Sequence, residues 1–398
     1  MKKLAILTLL SPTLAYAGSP SPEIATAPAP AYWIMPTIDI RARYEFGEVD
    51  GLDPSHALTF RERLGLRTQE WMGFSAFIEG EFSQAAIDDY HGGTPGATPF
   101  DPGNTAIADP ETNELNQGYI QYKGFDTVFR TGRQRIAYDN GAIIGNVGWR
   151  QNEQTYDALS FSSTSVDGLT LQYAYINQVN RIFGSDATGF AGDIGTSLHA
   201  LNASYTGVEG FTLGAYVYLM DFDDVNAFDN DTYGVSAKTK QFGLDLYGEI
   251  AFQNDAGAAG NDDSWYSHTY AAKTISTQVV TVGMEHLSAG FRTPLATAHA
   301  FNGYADAFVG QRSNGTTGGL TDVYASHIIP IFWGMKWTNT LHAFGDNEIS
   351  TGRGWEIDSV LAKKFDDHFL AIVKLSHFET EGVLPTTTRF SVEMNYTF

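Results

Sequence analysis

From residue 37 to the last residue, apolar and polar side chains alternate with a period of two, and long stretches of helical periodicity are few. The segment 389–398 shows the pattern most cleanly. Phe390, Val392, Met394, Tyr396 and Phe398 fall on one face, and Arg389, Ser391, Glu393, Asn395 and Thr397 on the other. In 37–46, Ile38, Ile40, Ala42, Tyr44 and Phe46 alternate with Asp39, Arg41, Arg43 and Glu45. Successive side chains of an extended chain point to opposite sides, so each such segment is a strand with one apolar and one polar face. The pattern predicts strands at 37–46, 57–69, 73–83, 113–122, 126–135, 155–162, 168–178, 198–206, 211–222, 230–239, 243–254, 264–274, 277–287, 319–329, 336–345, 355–364, 369–378 and 387–398. That is about eighteen, an even number, as single-chain bacterial barrels have. Short connections (70–72, 123–125, 163–167, 207–210, 240–242, 275–276, 330–335, 365–368) alternate with long ones, among them 84–112, 136–154, 179–197 and 288–318. With the N-terminus periplasmic, every long connection lies outside the cell.

The expected fold is therefore all-β, a transmembrane antiparallel barrel over 37–398. A secreted soluble all-β protein is the plain alternative. The last strand favours the barrel, because so apolar an edge in water invites aggregation, whereas a closing strand turns that face to lipid. It ends in aromatic-x-Phe, a terminus resembling the signal read by the barrel-assembly machinery through Phe398. Composition agrees: 13% aromatic residues, 41 Gly, no Cys and a negative mean hydropathy. Lys2 and Lys3, the apolar run 4–10 and Ala15-Tyr16-Ala17 form an export signal cleaved after Ala17. Residues 1–17 are thus a signal peptide and 18–36 a Pro- and Ala-rich lead-in. The address is the Gram-negative outer membrane, with its lipid and lipopolysaccharide as surroundings. Cleavage takes the formal charge from −22 to −24 by removing two Lys. The acidity sits mainly in the outer loops, as at Asp88-Asp89, Asp101 and Asp229 to Asp231. Their spacing matches no Ca²⁺-loop template, and neither metal nor other cofactor is expected.

Most Arg lie before residue 182 and come at strand spacing. Arg41 and Arg43 share a face, as do Arg61, Arg63 and Arg67, and Arg133 and Arg135; Glu79 and Glu81 oppose an apolar face in 73–83. A cation on the lipid face near mid-bilayer costs about 2–4 kcal/mol, so these pairs belong in the lumen. There they either fill it with salt bridges or line a channel, since rings of Arg or Lys favour anions. Glu62 breaks the pattern, which a bulge or a position near the rim would explain.

The stretch 130–159 organises the rest. It begins as a strand, breaks into a loop rich in Gly and Asn through Asp139-Asn140-Gly141 and Gly148-Trp149-Arg150, and resumes as a strand at Thr155. We read the loop as folding inward and setting polar and basic groups over a pore. Its run 132–159 (GRQRIAYDNGAIIGNVGWRQNEQTYDAL) resembles the hallmark segment of the alginate-export porin family. Residues 41–45, 59–68, 109–122 and 293–308 agree with it in order. The resemblance implies an eighteen-stranded barrel with an arginine-lined constriction conducting an anionic polyuronate. It implies Arg41, Arg43, Arg61, Arg63, Arg133, Arg135 and Arg150 as pore residues. It places Asn146, Trp149, Asn152 and Glu153 in the first inward loop, and His299, Asn302 and Asp306 in a second.

No GxxxxGK[ST], GxSxG or HExxH motif occurs, as passive transport requires none. The leading expectation is a porin for acidic polysaccharide or oligosaccharide, with no nucleic-acid partner and room for a periplasmic one. The alternatives are a narrow porin for other small solutes, a non-conducting structural or adhesin barrel, and a barrel enzyme. Tyr216, Tyr218 and Tyr247 fall on the inner face, which suits the narrow porin and sugar rings equally.

Overall fold

A computed structural model describes residues 32–223, 225–255, 263–315, 318–346, 352–382 and 384–398. The export signal and most of the lead-in lie outside the described residues. The strands are β1 (Ile34–Val49), β2 (Ser55–Thr68), β3 (Phe74–Asp89), β4 (Thr112–Gly124), β5 (Thr127–Gln134), β6 (Thr155–Val166), β7 (Leu169–Asn180), β8 (Ile194–Tyr205) and β9 (Phe211–Met220). They continue with β10 (Asn230–Gln241), β11 (Leu244–Asp255), β12 (Ser264–Ile275), β13 (Gln278–Leu287), β14 (Leu320–Pro330), β15 (Met335–Gly345), β16 (Gly352–Lys364), β17 (Phe369–Thr380) and β18 (Thr387–Thr397). Each pairs antiparallel with its neighbours, and β1 pairs with β18, so the eighteen-stranded sheet closes on itself. Closure leaves no edge, the condition for a sheet to sit in lipid. Phe398 completes the seam by exchanging backbone hydrogen bonds with Ile38.

The expected alternation is realised around the wall. On β1, Ile38, Ile40, Ala42, Tyr44 and Phe46 face out, while Arg43 and Glu45 are buried inside. Short turns close one end of the barrel, the end expected to be periplasmic. Gly168 at the β6–β7 turn has φ +73°, and a Cβ there would stand 2.9 Å from the Gly207 backbone nitrogen, so only Gly fits. A register shift at Glu79/Gly80 sets two consecutive residues of β4, Asn116 and Gln117, facing inward, where both donate to Glu79 at 2.9 Å.

Two expectations about faces change. Glu62 lies at neither a bulge nor a rim. It sits at mid-strand on the outward face between Ile40 and Phe82, and the nearest shift falls at Leu58/Thr59. Arg133 pairs with Gly118 and Asp157 on the outward side, in line with Thr131 and Leu159. The lumenal cation of β5 is instead Arg130, whose guanidinium lies 4.9 Å from the Tyr119 ring. Mid-bilayer cost excludes an outward Arg only at mid-strand; Arg133 stands at the outer end of β5, paired with Asp157 at 2.8 Å.

The apolar core sits inside the barrel, toward its outer end. Two loops fold in: 135–154 between β5 and β6, and the β13–β14 connection, which carries helix α1 (Val309–Asn314). They pair with each other through Gly145 N–H to Leu295 O and Thr297 N–H to Gly141 O, both 2.9 Å. Ile143, Ile144, Leu295 and Phe308 then pack with Tyr156, Ile176, Tyr218 and Phe344 of the wall.

Candidate functional site

The site is the waist where both inward loops meet β1, β2, β17 and β18. Polar inward positions of the strands supply charges, and the loops supply their partners. Arg41 donates to the backbone oxygens of Gly148, Trp149 and Arg150. Arg43 bridges Glu393 at 2.6 Å and Asp109 at 3.1 Å and also caps the Trp149 carbonyl. Arg61 meets Asp39, and its Nε and Nη1 are buried without a hydrogen-bond partner. Arg63 pairs with Glu81 and lies 3.7 Å from Glu153. Arg67, further toward the periplasm, lies 5.0 Å from the Phe77 ring. Arg135 turns inward beyond the end of β5 and grips Glu153, with Nε 2.6 Å from Oε2.

The first inward loop is held by many bonds at once. Glu153 also accepts from Asn116 (2.7 Å) and Asn146 (2.9 Å), and its own N–H donates to Glu81. Burial opposes its charge, but Arg135 and Arg63 outweigh that and hold the carboxyl well below the usual range. Asn152 donates to the carbonyls of Pro110 and Ile182 and accepts from Ser83 and Thr112. Arg150 pairs with Glu45 at 2.9 Å and Asp306 at 3.2 Å.

The second loop is seated on carboxylates of the opposite wall. Asn302 donates to Glu285 at 2.7 Å and accepts from Arg312 at 2.8 Å. The N–H groups of Tyr304 and Ala305 donate to Asp358 and Glu356. Gly303, at φ +86°, lies against the Glu356 carboxylate, and a Cβ there would come within 2.3 Å of it. His342 sits between Asp322 (3.0 Å) and Asp358 (3.4 Å).

At the centre, Trp149 stacks on His299 with ring centroids 3.5 Å apart, and His299 stacks on Tyr304 at 4.7 Å. The Lys374 ammonium, which has donors only, lies 3.1 Å from His299 Nε2, so that nitrogen accepts and Nδ1–H donates to Asp306 at 2.8 Å. Burial pushes the His299 pKa down to about 4, and the imidazole is neutral at physiological pH. Burial works against the Asp306 charge, and the imidazole N–H and Arg150 outweigh it, holding the carboxyl low. Arg43, Glu45, Trp149, His299, Tyr304, Lys374 and Arg389 enclose a gap of about 20 Å³, room for water and far less than a sugar ring needs. Arg43 and Arg389 have carboxylate partners there; Lys374 has none within ion-pair distance among the described residues.

The loop residues expected from the sequence thus come together with Arg41, Arg43, Arg63, Arg135 and Arg150, while Arg133 is on the outside wall. Lys374 and Arg389 were missed as site residues. Lys374 is the one Lys or Arg of β17, set between the apolar run 369–373 and Leu375, and that was the available signal. Tyr216 and Tyr218 are inner but buried, stacked at 4.8 Å, and Tyr216 and Tyr247 both donate to Glu249.

The structure is a closed eighteen-stranded antiparallel barrel with two loops folded into its lumen. No family model matches the chain, and no curated protein does. Among solved structures, OccAB4 of Acinetobacter baumannii superposes with a TM-score of 0.70 and 12% identity, over 94% of this chain and 100% of that one. OpdQ of Pseudomonas aeruginosa gives 0.69 and 13%, over 92% and 98%. OpdK of Pseudomonas aeruginosa, solved with vanillate, gives 0.69 and 12%, over 91% and 99%. These likenesses carry the fold. They overturn the resemblance to alginate-export porins, since the whole-barrel likeness is to Occ and Opd structures. The short runs behind that resemblance are paired cations on wall strands and a Gly- and Asn-rich break, which in this chain serve to seat the inward loop.

Proposed function

We propose that the chain is a passive porin of the Gram-negative outer membrane, conducting small solutes singly through the Lys374 waist, with small organic carboxylates preferred. The observation that carries this is Lys374 itself: an ammonium without a carboxylate partner among the described residues, in a gap walled by Trp149, His299 and Tyr304. A carboxylate displacing water there gains a charge-assisted hydrogen bond and an aromatic face for any ring it carries. The other waist arginines are already neutralised by Glu393, Asp109, Glu45, Glu81 and Glu153, so they position the loops and leave little free positive lining. A gap of about 20 Å³ holds water in this conformation, so any solute, benzoate included, passes only after Trp149, His299 or Tyr304 moves. OpdK was solved with vanillate, an aromatic carboxylate, which is in keeping with this class of solute.

The test is bilayer current under a salt gradient with benzoate as the anion, for the native protein and Lys374→Gln. The native channel is expected to pass benzoate in preference to its counter-cation, and the variant to lose most of that preference while keeping its folded barrel. Equal reversal potentials in the two would remove Lys374 and the carboxylate reading, leaving a non-selective small-solute porin.

A further inference from the structure

The periplasmic turns carry a feature that conduction does not use. Met72, Phe125, Phe242, Ile275, Trp333 and Phe365 stand at six of the turn tips, with exposures between 56% and 95%. The other two short turns on this side carry the smaller exposed Val166 and Val208. Four of the six large residues adopt left-handed backbone: Met72 (φ 50°), Phe125 (57°), Phe242 (55°) and Trp333 (57°). Gly or Asn occupies that region at less cost, so an apolar side chain is retained at each tip against local preference.

These tips stand beyond the ordinary aromatic girdle. Phe129 and Trp337 face outward two residues past the first residues of β5 and β15, and Phe369 opens β17, its carbonyl accepting from the Phe365 N–H across the turn. Two residues of a tilted strand span on the order of 5 Å. If the girdle marked the lower edge of the bilayer, the tips would project into water. Every described lysine except Lys374 also lies at this end of the barrel, Lys123, Lys273, Lys336 and Lys363 among them.

We propose that the turn tips are seated in the headgroup layer of the periplasmic leaflet, so that the lower mouth is flush with the phospholipid and the flanking lysines reach its phosphates. Three observations select lipid over a docked protein. The apolar tips occur at every described short turn and so run right around the barrel, whereas a protein partner would cover an arc. They lie within two strand residues of the outward girdle at β5, β15 and β17. The lysines beside them are of the kind that snorkel to anionic headgroups, Lys240 and Lys364 being shared with Asp245 and Asp367.

The absence of Cys makes the test direct. Phe125→Cys and Phe242→Cys are each spin-labelled and refolded into vesicles of phosphatidylethanolamine and phosphatidylglycerol, with Asp101→Cys in an outer loop as the aqueous control. The ratio of oxygen to nickel-chelate accessibility is expected to be severalfold higher at both tips than at Asp101→Cys. Ratios equal to the control would overturn the proposal and leave the tips in the periplasm, open to a protein partner. Brominated-phospholipid quenching asks the same of unlabelled protein. Trp71→Phe with Trp333→Phe should remove a strongly quenched component; removal of only an unquenched one would also refute it. Neither readout depends on what the channel conducts.

Discussion

Replacing Glu153 with Gln isolates what holds the first inward loop in the barrel. The carboxylate is buried between Arg135, at 2.6 Å, and Arg63, at 3.7 Å, and it accepts from Asn116 and Asn146. Gln keeps the shape and deletes the charge. Removing one partner of a buried ion pair costs about 3–5 kcal/mol. The lower end applies here, because Arg63 retains Glu81 and Asp39 while Arg135 loses its carboxylate partner. About 3 kcal/mol is roughly a hundredfold in the local opening equilibrium. The assay is amide hydrogen exchange in detergent, read at Gly145 N–H, bonded to Leu295 O, and Gln154 N–H, bonded to Asn146 O. Both should lose about two orders of magnitude of protection, with the wall strands unchanged. The pH dependence follows from the sign of the shift. A carboxyl held low in the folded state contributes its stability above its ordinary pKa and loses it only as pH falls through the depressed value. Native protein at about pH 4.5 should therefore keep these amides protected. Unchanged exchange at both amides in Glu153→Gln would refute the reasoning, and would mean that apolar packing around Ile144 and Leu295 seats the loop alone.

Trp149→Ala removes the ring stacked on His299 and should raise single-channel conductance severalfold; unchanged current would place the narrow point elsewhere. His299 has its pKa lowered to about 4, so its contribution to loop seating is complete above about 6.5 and is lost as pH falls toward 4; current fluctuations should increase across that window and be absent from His299→Gln. Arg133→Gln should leave ion selectivity unchanged, because the side chain is on the outer wall, and a shift in reversal potential would return it to the lumen. Glu62→Leu should stabilise the barrel against denaturant by about 1–2 kcal/mol, since it removes a carboxylate from the lipid face at mid-strand; a loss of stability instead would show that Glu62 has a partner in the membrane.

The barrel was legible in the sequence because its governing rule is local. Lipid on one side and water or polar side chains on the other impose a period of two, and closure demands an even count for this topology. Each of the eighteen strands therefore declares itself within about ten residues, and β1 and β18 even declare which side chains face in. The arginine of β5 shows where that logic stops. Arg133 and Arg135 are two apart, but the strand ends at Gln134 and the chain bends inward, so one faces the outside of the wall and the other the lumen. Parity fixes a face only while the strand continues. The waist was further out of reach, because its contacts join residues more than a hundred positions apart: Trp149 with His299, His299 with Lys374, and Arg43 with Glu393. Sequence alone determined that a membrane barrel forms, which positions line its wall, and that a Gly- and Asn-rich loop interrupts one hairpin. Tertiary structure alone decided that this loop pairs with a second one, that Arg43, Arg63, Arg135 and Arg150 are spent on carboxylates, and that Lys374 is left facing the gap. Strand alternation is set by nearest neighbours and solvent, whereas charge compensation in the lumen is set by which distant segments the closed barrel forces together.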